Sequence, residues 1–456
     1  MNIIKKYEKI LLNLLVFCSL ILLFVKFFLL EKVYPLSDEI IVIERYTEWH
    51  NFLWRNNVGN HTINSFFAVV IKSILGENLL YYRFISFLFF SFILILFKKL
   101  YPSILLCCAF ILIIISSQLL TNYIWIFRGY YSWAFFTVLN FFYLKKFSEN
   151  NFDNKNYNIL LVINLVLLCH SLFTLYIVIP VFITLSLIFL KDFIIEDKSF
   201  NRRKKLINFF LFFLIPVSIF YFLIIVIEGF TIIHSDNLNL KFFFLNLFDI
   251  VREGFIPGFK NIFLNSHLDK FINEKNFLNN LFKSLIGNTF DGNDTNLQTE
   301  PQFTILIIYI VSLIILLYRA FYFKLKYLDL VIANIFLFFF FINYIPEPRV
   351  HVGIVFFNVF YISDNIFNVS KKIKNHFTVI LPLLFLTFYL LSKTEIDKKI
   401  LTTKIAIDKI DSLKSKHSCY ELNYLFNDEE IWIIKNFYKK YCNFYYDYKN
   451  EKNVLF

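Results

Sequence analysis

The chain is short of almost everything a soluble domain of its length carries. Charged residues occupy 18% of its 456 positions, and it has 9 glycines, 9 prolines, 6 cysteines and one methionine. So little charge cannot give a folded chain of this size a polar shell, which excludes an ordinary water-soluble globular protein. No Cys-x-x-Cys pair occurs, so a cysteine zinc site has nothing to build on. Cys18, Cys107, Cys108 and Cys169 lie inside apolar runs, where a thiol acts as a small packing group. Cys419 and Cys442 lie in a polar tail and are either a disulfide or two thiols.

What the chain has instead is apolar surface. It is 58% hydrophobic and 21% aromatic, with a mean hydropathy of +0.60. Apolar runs of roughly 18 residues or more recur, the length needed to cross about 30 Å of hydrocarbon. An all-α, multi-pass membrane protein follows. The net charge of +12 does not point to nucleic acid, because the basic residues sit in short clusters at the ends of apolar runs. Those clusters are Lys5/Lys6/Lys9, Lys98/Lys99, Lys145/Lys146, Arg202 to Lys205, Lys324/Lys326 and Lys371/Lys372/Lys374. This is the pattern of loops retained in the cytoplasm beside anionic headgroups.

Placing every cluster on the cytoplasmic side forces an odd number of spans, about eleven, with the C-terminus outside. The spans expected are 10–30, 79–97, 103–121, 130–144, two within 157–190, then 207–228, 303–318, 328–344, 350–367 and 377–391. The first is too long for a removable signal peptide. Residues 1–392 form the membrane domain and 393–456 an extracytoplasmic tail. In this layout the outer loop 31–78 carries amphipathic pieces lying along the membrane, and a second large outer loop covers 230–302. Trp49, Trp54 and Trp125 read as an interfacial belt.

The polar residues that do not fit an apolar chain fall on one side of this layout. Asp38, Glu39, Asn60, His61, Arg128, Tyr130, His170 and Arg349 all lie on the predicted outer face. Ionisable groups at a bilayer face are costly to keep unless they act. A carboxylate near arginines at that boundary suits transfer from a lipid-linked phosphate: the guanidinium meets the charge on the leaving phosphate, and the carboxylate takes the acceptor proton.

Several short elements, in order, then resemble one family. They are Asp38-Glu39 after the first span, Asn60-His61-Thr62-Ile63-Asn64-Ser65, Ile71-Lys72-Ser73-Ile74-Leu75-Gly76, Tyr82-Arg83-Phe84-Ile85-Ser86, Phe127-Arg128-Gly129-Tyr130, His170 and Arg349. Their order is similar to that of the GT-C glycosyltransferases that use polyprenyl-phosphate sugars, the protein O-mannosyltransferase and aminoarabinose-transferase group. The resemblance covers 1–200 by motif and 200–370 by layout only. It implies a GT-C fold in the plasma membrane and an inverting sugar transfer to a glycan, lipid or protein acceptor on the extracytoplasmic face. The implied catalytic residues are Asp38, as base, and Glu39. The implied substrate-binding residues are Asn60, His61, Arg128, Tyr130, His170 and Arg349, with Arg128 and Arg349 on the phosphate. Arg83 reads as structural.

There are departures from the family pattern. Ile126 stands where members often have an acid, and Thr62 stands where they have proline. The first departure implies a mechanism that needs no divalent metal or other cofactor. Two rival readings are an O-antigen-type polymerase, whose chemistry would rest on arginine-rich outer loops, and a lipid-linked oligosaccharide transporter. The second would need charged residues lining a path within the spans.

Overall fold

The computed structural model describes residues 2–29, 39, 42–43, 61–76, 78–150, 152–171, 174–195, 199–228, 303–342, 351–370, 379–391, 444–447 and 452–455. Fourteen helices account for nearly all of them. They are α1 (Asn2–Leu29), α2 (Thr62–Leu75), α3 (Leu79–Leu100), α4 (Ile104–Ser116), α5 (Gln118–Tyr123), α6 (Tyr130–Glu149) and α7 (Asn154–His170). Then come α8 (Leu175–Ile195), α9 (Ser199–Phe209), α10 (Ile215–Glu228), α11 (Phe303–Phe321), α12 (Tyr327–Ile342), α13 (Val352–Ser370) and α14 (Ile380–Leu391). Two short strands, β1 (Phe444–Asp447) and β2 (Lys452–Leu455), pair antiparallel in the tail.

The helix ends follow local chemistry. Asn78, Ser103, Ser117 and Asp153 each place a side-chain oxygen on an amide of the first turn they precede, meeting donors that no intrahelical carbonyl can reach. Ser117 also corrects the single span expected over 103–121. Its backbone is extended and its hydroxyl caps α5, so the apolar run breaks into α4 and α5. A second difference lies at 191–206, the segment between the expected spans. The basic residues 202–205 are helical in α9, which continues through a π turn (Phe210–Leu214) into α10. Pro216 follows that turn. A proline in a helix removes a donor and crowds the preceding turn, and a wider turn relieves both.

Among the described residues five helices are long and apolar enough to cross a membrane, and the distribution of surface agrees. Phe17, Leu211, Phe222, Ile314 and Phe321 are exposed, while Asn64, Thr137, Asn140, Asn164, Ser312 and Asn358 are buried. Apolar side chains outside and amides inside suit a lipid solvent. The α2 helix shows the same inversion: Thr62, Asn64, Ser65 and Ala68 are buried, and Phe66, Phe67, Ile74 and Leu75 are exposed. Its polar face therefore packs inward, against α3 and α7, and not toward water as the amphipathic reading of loop 31–78 expects.

At the centre is α6, which packs against α3, α7, α12 and α13. Direction can be read from side-chain pairs at each end. The α6 and α13 helices run parallel, since Gly353 lies under the Trp133 ring and Lys145 pairs with Asp364. Antiparallel α7 joins α6 through Ser132 and His170 at one end, buried Asn140 and Asn164 midway, and the Phe147 and Tyr157 rings at the other. The α1 and α3 helices are also antiparallel: Lys98 bonds Asn13 at 2.7 Å, and Phe24 meets Phe84 and Phe87. Parallel α11 and α13 meet at Tyr309 and His351, then at Arg319 and Asn365. These pairings gather Lys98, Lys145 and Arg319 at one end of the bundle, and Ser86, Gly129, His170 and His351 at the other.

Candidate functional site

The second end is built on a tight turn between α5 and α6. The Trp125 amide bonds the Asn122 carbonyl (3.0 Å) and the Arg128 amide bonds the Ile126 carbonyl (2.7 Å). From α3, the Ser86 hydroxyl donates to the carbonyls of Ile126 (2.8 Å) and Arg128 (3.3 Å), which ties the turn down from below. Trp125 is 1% exposed, so it belongs to the core of this turn and not to an interfacial belt.

Glu39 reaches the turn from the first loop. It is fully buried and takes Arg83 on both oxygens, Nε to Oε1 at 3.0 Å and Nη2 to Oε2 at 2.7 Å. Its Oε1 also accepts the Phe127 amide at 2.6 Å. A two-pronged guanidinium and a backbone donor together fix the carboxylate in place through short, charge-assisted bonds. Through these bonds Glu39 fastens its part of the first loop to α3 and to the turn at once.

His61 and His170 close the other side of the turn. Gly129 has no side chain, and the space beyond its Cα holds His61: a Cβ there would stand 2.1 Å from the Cβ of His61. The His61 ring meets Tyr130 at 4.9 Å and His170 at 5.1 Å between centroids. Tyr130 also packs on Tyr123 at 4.6 Å. His170 Nε2 lies 3.0 Å from the Gly129 carbonyl, which can only accept, so Nε2 carries the proton. Its Nδ1 then accepts the Ile63 amide at 3.3 Å. A side chain 107 residues away in sequence therefore caps the first turn of α2, while His61, the residue before that helix, gives it no side-chain cap. Ser132 donates to the Gly129 carbonyl at 2.8 Å and completes the cluster.

Of the predicted site residues, Glu39, His61, Arg128, Tyr130 and His170 come together here, and all five are buried. Asp38, Asn60 and Arg349 lie outside the described residues, as do Trp49, Trp54, Cys419, Cys442 and the 230–302 loop. Two positions after Arg349 in sequence, His351 is fully buried and its Nδ1 lies 2.8 Å from the Tyr309 hydroxyl. The sequence reading did not name Ser86, Gly129 or Ser132 as parts of a site. Small residues beside an Arg-Gly-Tyr element carry no charge to draw the eye, although a glycine before a helix is a signal of close approach. Among the described residues no three His, Cys, Asp or Glu side chains gather as metal ligands would. The chain matches no family model, no curated protein and no solved structure.

Proposed function

We propose that the protein is an integral-membrane glycosyltransferase of GT-C type that moves a sugar from a polyprenyl-phosphate carrier to an acceptor at the extracytoplasmic face. One observation carries the reading. Residues picked out by short motifs spread over 132 positions, from Glu39 to His170, converge on one turn at one end of the bundle. Core packing alone gives no reason for a carboxylate, an arginine and two histidines to meet there, because each is costly to bury. Lys98, Lys145 and Arg319 lie at the opposite end, which supports a layout of about eleven spans with the converging end outside.

Within this reading the carboxylate roles divide. Both Glu39 oxygens are taken up by Arg83 and the Phe127 amide, which leaves neither directed at an acceptor hydroxyl. It positions the first loop, and the base is its neighbour Asp38. Arg128 and Arg349 meet the phosphate, and His61 and Tyr130 form the wall between donor and acceptor. His170 spends both ring nitrogens on backbone groups and sets the start of α2. The test is radiolabelled sugar transfer in membranes containing a polyprenyl-phosphate sugar pool. Wild type transfers and Asp38→Asn does not, while its insertion is unchanged. Full transfer by the variant removes Asp38 as base, and no transfer by either protein removes the transferase reading.

A further inference from the structure

The first turn of α2 holds three polar atoms that the cluster does not use. Asn64 is 1% exposed and Thr62 is 6% exposed. Among the described residues neither oxygen nor nitrogen of the Asn64 amide has a hydrogen-bond partner, and neither does the Thr62 hydroxyl. Buried amides and hydroxyls left unsatisfied cost stability, and such groups are rare without a reason. Both residues lie at the N-terminal end of a 14-residue helix, where the helix dipole leaves partial positive charge even though His170 already takes the Ile63 amide. Helical side chains lean toward the helix N-terminus, so the Asn64 side chain, in the third position, leans toward that end of α2. The first turn itself contains no acidic residue to offset that charge. Arg128 adds a buried guanidinium on the turn whose next residue touches His61.

We infer that the start of α2 is a binding site for a phosphate-class anion, with the Thr62 hydroxyl and the Asn64 side-chain amide donating to its oxygens. A helix N-terminus with two added donors suits a phosphate monoester or diester, whose oxygens accept several hydrogen bonds at once. Under the transferase reading, on which the identity of the anion rests, this is where the phosphate of the lipid carrier lies. The anion site itself stands on Thr62, Asn64 and the helix end.

The experiment is binding to the detergent-purified full chain, read by thermal midpoint and by titration with farnesyl phosphate, farnesol or inorganic phosphate. The variants are Asn64→Leu and Thr62→Val. Farnesyl phosphate raises the wild-type midpoint and farnesol does not. Each variant weakens farnesyl phosphate binding by about tenfold or more, the effect of losing a hydrogen bond to a charged group. Without ligand, both variants melt at or above the wild-type temperature, because each removes a buried polar group that has no partner. A residue needed only for folding would give the opposite result, a lower midpoint with affinity retained. Inorganic phosphate saturating the site with the same shift assigns it to the free anion instead of a lipid headgroup. Equal shifts from farnesol and farnesyl phosphate, or unchanged affinity in both variants, overturn the proposal. Binding without any sugar transfer in membranes leaves the anion site standing and removes the transferase.

Discussion

The two ends of this bundle both bury charge, and they use it differently. At the basic end, Asp329 is 1% exposed and accepts Arg319 Nε at 2.8 Å and the Tyr361 hydroxyl at 2.6 Å, as well as the Lys326 amide. Arg319 also reaches Asn365 at 3.1 Å. The side-chain bonds clamp α11, α12 and α13 together, and Arg319 and Asp329 also take the Lys324 carbonyl and the Lys326 amide of the turn between α11 and α12. At the other end, Glu39 and Arg83 spend their bonds on a loop and a turn, and His170 spends its bonds on the carbonyl before one helix and the amide at the start of another. The basic end chiefly ties helices together across the bundle, and the other end chiefly holds irregular backbone that comes from far along the chain. Buried charge that fixes a loop is what a site needs, because reacting groups must stay placed without help from water.

The largest effect should come from breaking the Glu39 and Arg83 pair. Glu39→Ala leaves a buried guanidinium without its partner, at a cost of about 3–5 kcal/mol, and the thermal midpoint in detergent should fall steeply. Glu39→Leu with Arg83→Met should recover most of that loss and still transfer no sugar, because the turn has lost its anchor. Recovery of activity with recovery of stability would mean that this end only packs.

Gly129→Ala and Gly353→Ala sharpen the comparison, since each drives a Cβ into a ring. At Gly129 the ring is His61, and at Gly353 it is Trp133, whose Cε2 would stand 2.6 Å away. The first should abolish transfer by displacing the start of α2. The second should cost roughly 1–3 kcal/mol through overpacking, with transfer reduced only in step with folded protein. Chemical melts monitored beside transfer rates separate the two.

Smaller effects belong to the basic end. Asp329→Asn keeps its shape but loses a charge-assisted bond to Arg319, a loss of about 1.5–3 kcal/mol. Lys145→Met removes the pair with Asp364, whose members are 29% and 14% exposed, and should cost about 1 kcal/mol or less. Both proteins should still transfer sugar once folded.

Much of this contrast was legible in the residues. Apolar runs located the helices, because each must bury or present an apolar face over its whole length. Basic clusters marked one end, and the short Asp-Glu, Asn-His and Arg-Gly-Tyr elements marked the other. The break at Ser117 was not legible, since a serine inside an apolar run serves equally as a lining residue or as a cap. The same holds for Trp125, whose ring suits a membrane interface or a core. The partnership of His170 with the Ile63 amide spans 107 residues and leaves no local pattern. Asp329 could be read as a loop acid before α12, and its clamp appears only when α11 and α13 pack around it.

The most direct measurement is sugar transfer from a radiolabelled polyprenyl-phosphate donor by wild type, His61→Gln and Asp364→Asn, each reconstituted at equal folded amounts. The account predicts transfer by wild type and Asp364→Asn, and little by His61→Gln. Transfer lost in Asp364→Asn and kept in His61→Gln would place the chemistry at the basic end and contradict it.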